Sequence, residues 1–379
     1  MDLKLQFVQI MVNNLVPAKH QFFYSFMRIL KYLLLINIVF SSSINAQLKL
    51  SASDTYSIII DDSKYLLPQL HKASFSKDGD LFYCDLNQIL KFDSKGNFVV
   101  SISPMGRGPG EFQVLADCIT TNSHLVVLPY NEFKLILYSL NDLTFIEEYN
   151  LGSIRARRVE ALSDSAFAIQ HDAEKSQYSS AITYLKIKQN GKMHSQPINV
   201  IPEMGYVGST TFFTGGLATI DNTIFYNYVS YHEITKFNID TESGHTLNDK
   251  PQNFNISFID ELNELKQPFD HRYYRGYMYS RSRSMGLFST DSLLIQQIEY
   301  NNPWEGGTFD SSVIERSLEF WDVSSSQKII GGLSVDDKRL QIVQNNKFYF
   351  NSGLKFSEES AKIQNGNRLV LFDIYLLER

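Results

Sequence analysis

Cysteine is nearly absent from this chain. Cys84 and Cys118 are its only two, and no C-x-x-C occurs, which excludes the local redox and zinc patterns that depend on that spacing. Tryptophan is as rare, with two residues. There is no H-E-x-x-H, no G-x-S-x-G, no Walker loop, no Asp-rich calcium loop and no dinucleotide fingerprint, so the enzymes recognised by those motifs are excluded. Sites assembled from single residues on successive strands are not excluded. The eight histidines are scattered without metal-ligand spacing, and neither a metal nor any other cofactor is expected. A basic excess is missing too: the formal net charge is −6 and the sequence pI about 5.8. That leaves no electrostatic footprint for nucleic acid or for an anionic membrane surface. No apolar run approaches the roughly 20 residues that span a bilayer.

What is present begins with a targeting pattern. Met27-Arg28-Ile29-Leu30-Lys31 is basic, Tyr32 to Phe40 is apolar, and Ser41 to Ala46 is a run of mostly small residues. This three-part order predicts a secretory signal peptide cut after Ala46 and a mature chain beginning at Gln47. Residues 1–26 fit no part of it, which makes Met27 the expected start. The alternative is an uncleaved N-terminal anchor. No cysteine follows the cut, so the expected product is exported to the periplasm or cell surface and is not a lipoprotein. Export would place Cys84 and Cys118 where a bridge can form; the reading adopted is two buried thiols packed as small hydrophobes.

Beyond residue 50 the chain is a succession of short alternating or apolar runs broken by Gly, Asn, Asp and Ser, with almost no helical periodicity. Abundant Tyr and Phe, 21 and 27 residues, suit sheets packed face to face. A first set of four strands is expected at Lys72–Ser76, Leu81–Leu86, Gln88–Asp93 and Phe98–Ser103, with turns at Asp78-Gly79 and Lys95-Gly96-Asn97. A second is expected at Gln113–Ile119, His124–Pro129, Lys134–Leu140 and Phe145–Leu151. The third runs Arg158–Leu162, Ser165–Gln170, Ala181–Ile187 and His194–Val200, around an Asn190-Gly191 hairpin turn. A fourth reads Phe212–Ile220, Thr223–Tyr228 and Glu233–Ile239, with Asn253–Phe258 as its later strand. The fifth has Met278–Ser284 or Leu287–Ser289, then Ser292–Glu299, Ser317–Val323 and Lys328–Leu333. The sixth shows only Arg339–Val343, Lys347–Asn351 and Arg368–Leu377. A ring of sheets must close, so Thr55–Ile60 is assigned as the outer strand of the last sheet. One helix-like insertion is expected at Ile259–Lys266.

Between the first two sets lies Met105-Gly106-Arg107-Gly108-Pro109-Gly110-Glu111-Phe112. Three glycines in five positions, with Pro109 fixing its own φ, make a shaped connector between consecutive sheets. It resembles the G-x-G-P-G-E-[FY] signature of the six-bladed β-propeller proteins abundant in Bacteroidetes, a family largely without an assigned activity. The resemblance implies an all-β, six-bladed propeller over residues 47–379, behind an N-terminal extension and signal peptide at 1–46, with ring closure by an N-terminal strand.

The candidate ligand groups follow from residue type. If 277–283 is a strand, Tyr277, Tyr279, Arg281 and Arg283 share one face, and phenols with guanidinium groups can hold carboxylate, phosphate, sulfate or a sugar ring. The competing reading is an exposed blade edge protected by charge. Arg107 and Glu111 would pair across the connector or point to a central pocket. Trp304 would stack on a sugar or fill a gap between blades. Arg155, Arg157 and Arg158 are read as a solvated loop opening the third set. These residues predict a monomeric binding or interaction module for a glycan or anionic small molecule, or for an envelope protein partner. The rivals are a carbohydrate- or ester-directed hydrolase or lyase at the ring axis, and a structural scaffold in an envelope complex.

Overall fold

The computed structural model describes residues 49–61, 72–173, 176–200, 215–227, 232–247, 283–301, 314–336, 338–351, 363–364 and 367–378. These are strands, turns and loops, and no helix occurs among the described residues. Six sheets form a ring. The first contains β2 (Lys72–Phe75), β3 (Leu81–Asp85), β4 (Gln88–Phe92) and β5 (Phe98–Ile102), and follows β1 (Lys49–Asp61) in the chain. The second is β6 (Leu115–Thr120), β7 (His124–Pro129), β8 (Lys134–Ser139) and β9 (Phe145–Asn150). The third is β10 (Ala156–Ser163), β11 (Ala166–Ala173), β12 (Ser176–Ile187) and β13 (Met193–Val200). The fourth is β14 (Leu217–Ile220), β15 (Thr223–Tyr226), β16 (Ile234–Asn238) and β17 (Ser243–Leu247). The fifth is β18 (Arg283–Ser289), β19 (Leu293–Asn301), β20 (Ile314–Asp322) and β21 (Gln327–Asp336). In the last sheet β22 (Arg339–Gln344), β23 (Lys347–Asn351) and β25 (Asn367–Glu378) are joined at the edge by β1, in the order β1-β25-β23-β22, with β24 (Ile363–Gln364) also on β25.

The first strand of each sheet is the inner one. β2, β6, β10, β14, β18 and β22 each neighbour the next, and β22 returns to β2. The middle strands are buried on both faces because each sheet is covered by a neighbour on either side. Alternation sorts their side chains. In β3, Leu81 and Tyr83 join the cluster shared with the last sheet, while Phe82 and Cys84 join the cluster shared with the second. In β7, Leu125 and Val127 face the first sheet, and Val126 and Leu128 the third. A period of two on a strand apolar on both faces therefore fills two interblade cores at once. The outer strands read differently: β5 and β9 carry mostly exposed or half-exposed positions.

The strands of the first three sheets lie close to their expected positions. Two expectations need correction. The fourth strand of the fourth sheet is Ser243–Leu247, which pairs with β16; its Ser-Gly-His-Thr sequence carries no alternating apolar signal, and this hid it. Asn253–Phe258 and the helix-like Ile259–Lys266 lie outside the described residues. The cysteines are also corrected: Cys84 and Cys118 form a disulfide with a Cα–Cα distance of 6.7 Å, and both are fully buried. They had seemed to be two separate buried thiols because nothing in the sequence shows that β3 of one sheet lies against β6 of the next.

Candidate functional site

The connector between the first two sheets is held by its own glutamate. Gly108 N–H donates to Glu111 Oε2 at 2.8 Å, and Lys134 Nζ donates to the Glu111 carbonyl at 2.6 Å. The Glu111 carboxylate lies where a side chain at Gly106 would begin: a Cβ there would sit 1.9 Å from Oε2. Gly110 has φ of +71°, donates its N–H to Glu148 Oε2 at 3.0 Å and accepts a hydrogen bond from the Tyr138 hydroxyl. Phe112 is fully buried in the core between the two sheets. Glu111 is thus paired with backbone, whereas Arg107 is exposed and forms no ion pair with it. The Gly106→Ala variant is expected to lose about 1–3 kcal/mol of stability through overpacking, measured by urea denaturation.

The axis of the ring holds a channel of about 380 Å³, lined by all six inner strands. That lies in the lower part of the roughly 300–1,000 Å³ range of small-molecule sites. Two belts of polar groups line it. The one nearer the strand ends ties the blades together. Gln344 Nε2 donates to the Ser76 carbonyl at 2.7 Å, Ser74 Oγ meets Thr120 Oγ1 at 2.9 Å, Thr219 Oγ1 donates to the Ala161 carbonyl at 2.8 Å, and Ser289 Oγ donates to the Thr219 carbonyl at 3.0 Å. Those side chains are occupied in structure.

The belt nearer the strand starts is charged. Lys72 begins β2, Arg339 begins β22, and Arg158 and Glu160 stand two apart on β10 and both line the channel. Alternation puts the two β10 side chains on one face. Asp117 of β6 is buried between three blades: Oδ1 accepts from its neighbour Cys118 N–H and ion-pairs with Lys72 Nζ, both at 3.0 Å, and Oδ2 accepts from Val159 N–H at 3.0 Å. Arg158 and Glu160 are half-buried, line the channel and have no hydrogen bond or ion pair to any described residue. Burial pushes the Glu160 carboxyl up to about 7; Lys72 and Arg158 oppose this and Asp117 adds to it. Burial also lowers the Arg158 guanidinium from its usual value, against Asp117 and Glu160, and a guanidinium keeps its charge through such a shift.

A second buried polar cluster joins the fourth and fifth sheets. His232 Nε2 meets Glu319 Oε2 at 2.6 Å, and Lys328 Nζ lies 2.8 Å from Glu319 Oε1. Burial raises the Glu319 carboxyl, but His232 and Lys328 outweigh it and hold it below the usual range. Glu319 is paired with both His232 and Lys328, and none of the three lines the channel, so the cluster ties blades together. Among the described residues no group of three or more His, Cys, Asp or Glu side chains is arranged to hold a metal, and no helix is long and apolar enough to cross a membrane.

Of the residues singled out in the sequence, Tyr277, Tyr279, Arg281 and Trp304 lie outside the described residues. Arg283 begins β18, an inner strand. The basic cluster opening the third set is corrected from a solvated loop. Arg155 is exposed over the Phe133 ring, Arg157 stacks on Tyr130 at 4.6 Å, and Arg158 enters the channel from an inner strand. Lys72, Asp117, Glu160 and Arg339 were missed. Their signal was a charged residue in the first strand of successive sets, where the second strands are apolar.

Six sheets, five of four strands and one of five, around a lined axis define a six-bladed propeller with a central polar channel. The family described as "6-bladed beta-propeller" matches residues 63–310, and the chain belongs to that family. Among solved structures it is similar to a Bacteroides fragilis NCTC 9343 protein described as exported, at 16% identity, covering 88% of this chain and 96% of that one with a TM-score of 0.57. It is also similar to Kuenenia stuttgartiensis hydrazine synthase, at 9% identity and a TM-score of 0.46, covering 76% of this chain and 75% of that one. No curated protein matches it.

Proposed function

We propose that this protein is an exported propeller that binds a small acidic ligand, such as an acidic saccharide, at the charged end of its axial channel. The observation that carries this reading is Arg158: a half-buried guanidinium that lines the channel and is hydrogen-bonded to no described residue. Five donors in a fixed fork suit a carboxylate, phosphate or sulfate. Lys72 and Arg339 add positive charge from neighbouring inner strands. Asp117 supports binding over hydrolysis, because both its oxygens are taken by backbone N–H groups and Lys72. It is therefore not available as the second catalytic carboxylate that glycoside hydrolysis requires. The disulfide supports export, since buried bridges of this kind persist in oxidising compartments, and so do the predicted signal peptide and the fold shared with a protein described as exported.

Calorimetric titration with glucuronate, using glucose as the uncharged control, tests the reading. Arg158→Gln is expected to weaken glucuronate binding about tenfold to hundredfold, as for a lost charge-assisted hydrogen bond of about 1.5–3 kcal/mol, while the melting temperature stays unchanged. Tyr277, Tyr279, Arg281 and Arg283 are kept as further ligand-binding candidates on their residue types alone; Arg281→Ala and Arg283→Ala should each weaken glucuronate binding. No glucuronate binding by the wild-type protein, or equal binding by Arg158→Gln, would overturn the assignment.

A further inference from the structure

We infer that the axial site takes up its anion together with one proton, with Arg158 holding the charged group and Glu160, as a neutral carboxylic acid, facing an uncharged oxygen of the same ligand. This rests on the binding reading above and adds the ligand's form. Two residues along a strand separate side chains by about 6.6 Å, so the pair suits a ligand with an anionic group at one end and a hydroxyl or ring oxygen at the other. A uronic acid has that layout.

Electrostatics require the proton. The charged groups acting on Glu160 are Lys72 on β2, Asp117 on β6 and Arg158 on its own strand; Arg339 on β22 also lines the channel, and the channel-lining residues of β14 and β18 are uncharged. Lys72 is already paired with Asp117. Without ligand, Lys72 and, after it, Arg158 on the same strand face favour ionised Glu160. An anion seated on Arg158 offsets the Arg158 part of that attraction and brings a further negative charge into the channel, where Coulomb interactions are stronger than in bulk water. Both changes favour the protonated carboxyl. Burial already pushes the Glu160 carboxyl up to about 7, so binding needs little extra energy to draw in the proton.

The consequence is a pH-dependent affinity. If only the protonated form binds, the fraction competent falls with pH, and the apparent Kd for glucuronate should rise about thirtyfold from about pH 6 to about pH 8.5. Calorimetry of the full mature chain at about pH 8, in two buffers of different ionisation enthalpy, should show net uptake of close to one proton per ligand bound. In Glu160→Gln, which keeps a neutral side chain of the same shape, proton uptake should vanish and the affinity at about pH 8.5 should match that of the wild type at about pH 6. Binding that is tight and equal at both pH values, or proton uptake that persists in Glu160→Gln, would overturn this inference and leave the Arg158 site standing. Absence of binding at every pH in both proteins would instead remove the Arg158 site, and this inference with it.

Discussion

Deletion of residues 47–61 is expected to abolish cooperative folding of the whole ring, not merely loosen its edge. β1 is the outermost strand of the last sheet, paired with β25. Ile58 is fully buried in the seam between the last sheet and the first, among Phe75, Leu81, Phe92, Tyr349 and Phe372. Tyr56 packs edge-on against Phe75 at 5.4 Å and donates its hydroxyl to the Asp93 carbonyl at 2.8 Å, so β1 reaches from the last sheet into the first. Removing it exposes the β25 edge and opens the seam that joins the two ends of the chain. Circular dichroism and chemical denaturation of the truncated protein check this. A truncated chain that melts at the same temperature as the full mature chain would show that β1 is dispensable. The graded version is Ile58→Ala, expected to cost about 2–5 kcal/mol as a buried large-to-small change.

Asp117→Ala should be the most destabilising single substitution among the channel residues, at about 3–5 kcal/mol. The Asp117 carboxylate holds Lys72 from the first sheet, Cys118 N–H in its own and Val159 N–H in the third. Its loss leaves a lysine and two inner-strand amides without partners where they meet. Lys72→Met is expected to cost under about 1 kcal/mol, because Lys72 is partly exposed and Asp117 would keep both amide bonds. Urea denaturation of both variants reads the difference directly. Equal stability of the two would mean that Asp117 is not the tie between these blades.

Much of this architecture is legible in the residues. In the first two sheets, apolar runs four to six residues long, broken in the first by Asp-Gly and Gly-Asn turns, locate each strand closely, because strand burial on both faces leaves a strong apolar signal. The glycine connector is legible too, down to its phenylalanine. The Ser243–Leu247 strand was not, because an outer strand needs little apolar character. Nor was the role of Glu111: a glutamate after glycines does not announce that its carboxylate will fill the space a Cβ at Gly106 would take.

The channel belongs to the tertiary structure. Lys72, Asp117, Arg158, Glu160 and Arg339 are spread from position 72 to position 339, with no local spacing to link them, and each alone looks like an ordinary strand-start charge. The sequence by itself determined most strands of the first three sheets, their turns and the membership of a repeated β architecture, since these depend on local periodicity and turn chemistry. Ring geometry decided the rest. It brought the first strands of all six sheets to one axis, buried Cys84 against Cys118, and set Glu160 where burial raises its carboxyl, because burial and charge proximity are properties of the closed ring and of no segment of it.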